Sequence, residues 1–344
     1  MTATWKTRSL NIIIGISHYT SNINENILPK RATMPNLTFF NELEPPKLRA
    51  LFAEDDLLKI LQDLQAGVSL GILDFSPERA EVARRLNQAG IPLTAWLLLP
   101  KEQGYWFNLD NADHAARRYA AFKGWSEEHG LRWQAVGLDI EPDINQLQTL
   151  AASRLRGLRQ FLRRASRQRL DRGRNSYVDL VRRIRADGFF VESYQFPFII
   201  DERSAGSRLV QRLTGVLDLP VDREVLMLYT SFNPAIGPGL LWSYGRHAGG
   251  IGLGSTGGGV TMDGLVDTRS LTWEQFERDL LLAARMKSEL YIFSLEGCAD
   301  QGFLARLVDF DWNQPVDVPV RKARTVNLVR ALVSVVLKFS RLFA

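Results

Sequence analysis

The run Ala135-Val-Gly-Leu-Asp139-Ile-Glu141-Pro-Asp143 ends in carboxylates at every second position. Alternate residues of a strand share a face, so Asp139, Glu141 and, where the strand persists, Asp143 point the same way, successive ones ~6.6 Å apart. Two carboxylates on one face repel unless one holds a proton. A carboxyl that keeps its proton at neutral pH is a general acid. The plainer reading is a polar strand end, or a helix cap ahead of Pro142. A further carboxylate, Glu296, closes the run Ile292-Phe-Ser-Leu-Glu296, where Gly297 leaves room for a ligand. It could serve as nucleophile or base opposite Glu141.

The surrounding pattern says what must position these groups. Eight β-rich runs follow Met34: Leu37–Leu43, Val68–Phe75, Pro92–Leu99, Gln134–Glu141, Phe189–Phe196, Glu224–Ser231, Ala248–Gly254 and Leu290–Glu296. Helical segments with apolar residues at three- and four-residue spacing lie between them: Leu48–Gln65, Pro77–Ala89, Ala112–His129, Ser176–Ala186, Ser204–Leu217 and Thr272–Met286. Eight strands, each leading into a crossover, predict a single-domain α/β fold of the (β/α)8 TIM type over residues 34–318. An amphipathic helix over 319–344 would follow it. Active sites of such barrels lie at the C-terminal ends of the strands. Those ends read Glu42, Asp74, Trp96, Asp139 with Glu141, Glu192, Tyr194, Gln195, Tyr229, Ser231 and Glu296. Asp139, Glu141 and Glu296 are the catalytic candidates; Asp74, Trp96, Glu192, Tyr194 and Tyr229 are candidates for holding a substrate. Trp106 joins them from the loop Gly104-Tyr-Trp-Phe-Asn-Leu-Asp110, whose aromatic faces and polar tips suit a sugar. Each also has an ordinary alternative: a strand-end carboxylate caps or pairs, and an aromatic loop covers the rim.

The segment Gly137-Leu-Asp139-Ile-Glu141 resembles the fourth-strand signature of the chitinase-like family 18 glycoside hydrolases. Its Asp-x-Glu core is also similar to that of family 25 lysozymes. Met227-Leu-Tyr229 matches the Met-x-Tyr of the chitinase-like sixth strand. The resemblance implies a barrel that cleaves glycosidic bonds, Asp139 and Glu141 as its acid pair, and Tyr229 as a contact to the sugar. The chain departs from that pattern at Asp143, where the family has its catalytic glutamate, and at Thr230, where it has Asp; no Trp ends the eighth strand.

Composition narrows the remaining classes. Of 344 residues 45% are apolar, enough for one large barrel. The single cysteine, Cys298, rules out an internal disulfide framework, and no Cys/His cluster suggests zinc, so neither a metal nor another cofactor is expected. Gly252-x-Gly-x-x-Gly257 has nucleotide-loop spacing, but the residues after it do not open a helix. A glycine loop closing over a ligand fits better. Without a signal peptide or a spanning apolar run, a cytoplasmic chain is expected. Nine arginines lie between Arg154 and Arg174, with a helical apolar stripe among them. They form either a solvated helix face or a contact to an anionic membrane surface; without interleaved aromatics, nucleic acid is disfavoured. The C-terminal helix carries a broad apolar face around Asn327, Arg330, Ser334, Lys338 and Arg341. That face should pack on the barrel as its closing helix, or else meet a membrane or a second copy. Residues 1–33, rich in Asn and Ile, differ in composition from the rest and read as a non-native or disordered extension, or as a short strand at Asn11–Ser17.

Overall fold

Eight short parallel strands form the core of the computed structural model, which describes residues 34–146, 166–258 and 270–341. They are β1 (Asn36–Asn41), β2 (Gly67–Ile72), β3 (Leu93–Leu97), β4 (Ala135–Asp139), β5 (Phe190–Gln195), β6 (Arg223–Met227), β7 (Gly250–Gly254) and β8 (Glu289–Phe293). Each pairs with its sequence neighbours, and β8 returns to β1 with Phe40 opposite Phe293, closing the sheet. The fold is a (β/α)8 TIM-type barrel. The expectations for residues 1–33 and for Arg154–Arg164 fall outside the described residues.

The helices follow the predicted spacing with instructive differences. The Leu48–Gln65 segment is two helices, α1 (Pro45–Leu51) and α2 (Asp55–Asp63). Pro77–Gln88 forms α3, its Ser76 side chain accepting the Arg79 N–H, and Ala112–Glu128 forms α4. Helix α5 (Arg167–Ala186) begins nine residues before the predicted Ser176, because Ser166 caps it. Its arginines face solvent or pair locally, as Arg169 does with Asp110 at 2.6 Å. Gly206 divides the Ser204–Leu217 segment, leaving α6 (Phe198–Ala205) and α7 (Leu209–Thr214). Helix α8 (Gly237–Tyr244) was not legible, because Gly237-Pro-Gly reads as a turn; Gly239 in fact lets it lie against the Lys322 backbone. Trp273–Ala284 forms α9, and the short α10 (Leu295–Asp300) and α11 (Phe303–Val308) follow β8.

Apolar residues separate into two bodies. Leu70, Leu97, Val136, Leu138, Leu226 and Ile292 face outward and pack under the helices. Inside, Phe40, Trp96, Tyr194, Tyr291 and Phe293 meet across the barrel from β1, β3, β5 and β8, with Phe40 at the centre, 4.7 Å from Tyr194 and 5.1 Å from Trp96 between ring centroids. Glycines make the space: a Cβ on Gly137 would sit 2.3 Å from the Tyr194 hydroxyl, and one on Gly250 2.9 Å from the Tyr291 ring.

Helix α12 (Val320–Ser340) lies across α8 and α6. The structure reverses the face expected to pack. Ala323, Val326, Arg330, Ser334 and Leu337 turn inward, and Leu328, Val329, Leu332, Val333, Val335, Val336 and Phe339 turn out to solvent. The reason is a buried ion pair. Arg330 Nε donates to Asp201 Oδ1 at 2.8 Å and Nη1 to the Ser243 carbonyl at 2.8 Å, and the Tyr244 hydroxyl donates to the same Asp201 carboxylate. Among the described residues no helix is long and apolar enough to cross a membrane.

Removing one partner of a buried pair strands the other charge, which costs about 3–5 kcal/mol. Arg330→Ala should therefore lose that much in urea unfolding, whereas Val336→Ala, on the outward face, should stay within about 0.5 kcal/mol of wild type. Equal losses in the two variants would mean that the outward face is the packed one.

Candidate active site

Asp139 ends β4, and the backbone stays extended through Glu141. Phe107 N–H donates to the Asp139 carbonyl (2.8 Å), Ile140 N–H to Tyr194 (3.1 Å) and Glu141 N–H to Phe107 (3.1 Å). The two carboxyls therefore share one face, as their spacing predicts. Asp143 leaves the line: its Oδ1 accepts the Asn145 N–H (2.8 Å) in the following turn.

Trp96 holds Asp139, its Nε1–H donating to Oδ2 at 3.1 Å. Oδ1 is buried and accepts from no fixed donor among the described residues, with the Glu141 carboxyl beside it. Burial lifts both carboxyls above the usual range, and the bonds to Trp96 and Glu141 partly offset this for Asp139. Glu141 goes further: burial, then the charge and hydrogen bond of Asp139, then the charge of Glu42 all favour its protonated form. Burial thus pushes both carboxyls toward their protonated forms, and the charges of Asp139 and Glu42 add to this at Glu141.

A third carboxylate stands close by. The sequence marks Glu42 as one polar strand end among many, yet its charge acts on Glu141 and on both mouth tyrosines. The Tyr105 hydroxyl donates to Glu42. Burial and these charges hold Tyr105 and Tyr229 protonated well above the ordinary range. Tyr229 stacks on Phe293, with 5.8 Å between ring centroids and 29° between planes. Phe293 is half-buried and stands where a Trp was sought; strand alternation from Tyr291 would have placed it inward.

The remaining candidates are distributed differently. Glu296 is in the first turn of α10 rather than on β8, because Ser294 caps that helix. Its buried carboxylate is tied to the end of β1, accepting Asn41 Nδ2 at 2.8 Å and the Glu42 N–H at 3.3 Å. Asp74 is the counter-ion of the buried Arg79 (2.8 Å), which also binds the Gly71 and Leu43 carbonyls. Glu192 lies low in the barrel with Arg223 (3.2 Å) and the Tyr291 hydroxyl. The Tyr194 hydroxyl points down to Ser69 (2.8 Å) and Glu192 (3.3 Å). Trp106 is buried edge-on to Tyr105, in a loop whose backbone is pinned by Asn111 Nδ2 at 2.8 Å, so it is a fixed part of the rim. Trp96, Asp139, Glu141 and Tyr229 are thus brought together, and Asp74, Glu192 and the Tyr194 hydroxyl are committed elsewhere. The segment after β7 is not helical through Gly258, and 259–269 lie outside the described residues. Among the described residues no group of three or more His, Cys, Asp or Glu side chains is arranged to hold a metal ion.

No protein-family model and no curated protein matches this chain. Among solved structures it is similar to the PgaB (BpsB) glycoside hydrolase domain from Bordetella bronchiseptica, at 11% identity over 80% of this chain and 98% of that one, TM-score 0.49. A xylose isomerase domain containing protein from Salmonella typhimurium is similar at 10% identity, over 86% and 98%, TM-score 0.44. D-allulose 3-epimerase from Methylomonas sp. is similar at 11%, over 87% and 99%, TM-score 0.41.

A carboxyl whose pKa is raised by folding favours the folded state below its unfolded pKa and loses that advantage as pH climbs through the folded value. Glu141→Gln cannot ionise. Its melting temperature should match wild type near pH 4, below the unfolded pKa, and exceed it by a growing margin as pH rises. A margin that stays flat with pH would put Glu141 in a solvated setting.

Proposed function

We propose that this barrel hydrolyses glycosidic bonds in an oligosaccharide or glycoconjugate, with Glu141 as general acid. The observation that carries the reading is the buried pair in which Trp96 orients Asp139 and Glu141 lies beside it, its carboxyl pushed up by burial and by the Asp139 charge. Glycoside cleavage asks for a carboxylic acid at the leaving oxygen and a second carboxylate at the developing positive charge. Glu141 gives its proton to the glycosidic oxygen as the C–O bond to the anomeric carbon breaks, and Asp139 stabilises the acid before transfer. Glu42 is the better candidate for the second group, either attacking the anomeric carbon or activating the water that does. Glu296 then acts through Glu42, holding its backbone at the end of β1. The Tyr229–Phe293 stack offers an apolar platform for a sugar ring, and the Tyr229 hydroxyl a donor to its substituents.

A panel of chromogenic glycosides and natural oligosaccharides should reveal turnover. Glu141→Gln should lower kcat by about 10²–10⁴-fold while the fold persists, since that is what general acid catalysis contributes. Calorimetry showing oligosaccharide binding while wild type releases no reducing sugar would make the mouth a binding site without turnover.

A general acid fails as pH rises through its pKa. Asp139→Asn removes the neighbouring charge that helps keep Glu141 protonated, so the alkaline limb of the rate profile should move to lower pH. An unmoved limb would assign Asp139 a purely structural part.

A further inference from the structure

The outward face of α12 is apolar from Leu328 to Phe339. Leu328, Leu332, Val335, Val336 and Phe339 recur at three- and four-residue spacing, and Leu332 and Val336 are 62% and 63% exposed. Soluble surfaces rarely leave so continuous an apolar ridge in water. The barrel has no further claim on the helix, because its contact is made on the other side by Arg330, Ser334 and Leu337.

Charge says what covers the ridge. Arg321, Lys322 and Arg324 are exposed near the start of the helix and Lys338 and Arg341 at its end, where Arg341 also donates to the Ala205 carbonyl at 3.4 Å, and no Asp or Glu occurs after Asp317. Cations at a helix N-terminus oppose the macrodipole, which favours acids there. Their presence is not explained by the helix itself. A second copy of the chain is a poor occupant. In an antiparallel pair the cationic first turn would meet the partner's cationic last turn, in a parallel pair each would meet its own kind, and neither offers a carboxylate. An anionic bilayer satisfies both features at once: its interface takes up the apolar ridge of a helix lying in plane, and its headgroups meet the cations at either end.

We propose that α12 is a docking helix for an anionic phospholipid surface, laying the Leu328–Phe339 ridge into the interface while Arg330 and Asp201 fasten the barrel to its inner side. The loop beside its first turn, where Lys322 Nζ reaches the Pro234 carbonyl at 3.4 Å, also exposes Phe232 and Ile236. Phe232 packs edge-on against Tyr229. Docking would therefore bring one edge of the barrel mouth near the membrane.

Full-length protein should co-sediment with vesicles of phosphatidylcholine and phosphatidylglycerol (70:30), bind pure phosphatidylcholine far less, and release at high salt. Leu332→Glu/Val336→Glu lies on the exposed side, so it should melt like wild type and lose at least about tenfold in vesicle affinity. Arg321→Glu/Lys338→Glu should lose about fivefold per cation on anionic vesicles only. Vesicle binding that survives the Leu332/Val336 change overturns the proposal. So does a wild-type dimer in sedimentation velocity that the same change dissolves, which would give the ridge to a second copy.

Discussion

Eight strands enclose a space of fixed width that side chains must fill, and this chain fills it with rings. Phe40, Trp96, Tyr194, Tyr291 and Phe293 form one aromatic layer, admitted by glycines at Gly137 and Gly250. Buried rings with polar tips need partners for those tips. The tyrosine hydroxyls point down to Ser69 and Glu192, and the indole N–H of Trp96 bonds Asp139. The layer thus divides the interior into a lower polar network that pins the strands and an upper one where Asp139 and Glu141 lie side by side, both pushed toward protonation by burial. The same packing problem creates the two environments, and they differ because the lower carboxylate has Arg223 beside it, whereas among the described residues the charges acting on Glu141 are those of Asp139 and Glu42.

Much of this was legible, and the exceptions have physical causes. All eight strands overlap the β-rich runs, because a barrel strand buries both its faces and so reads as a nearly continuous apolar stretch. Their ends were read too long. Leu295 and Glu296 look like strand by composition, but the Ser294 cap converts them to helix, and Glu296 becomes a brace for β1 instead of a group presented at a strand's end. The pairing of Asp139 with Glu141 follows from a period of two and survives intact. Glu42 and Tyr105 did not stand out, since their meeting is between positions 63 apart and no local pattern encodes it.

The C-terminal helix misled for a different reason. Amphipathic spacing shows that a helix has two faces, and the usual inference is that the apolar one is buried. One long-range ion pair, Arg330 with Asp201 across 129 residues, was enough to turn it around. A sequence pattern reports the faces; the partner of a single buried charge decides which of them packs.

The tie between Glu296 and the end of β1 spans 254 residues and joins the last strand's exit to the first strand's. Synthesis proceeds at roughly 5–20 residues per second, so the first strand waits about 13–50 s for the residue that holds its end. Through that interval the chain carries Asp139 and Glu141 without the seam that sets Glu42 against them. The end of β1 is therefore braced only after β8 has been made, so the seam that sets Glu42 at the mouth closes late in the growth of the barrel.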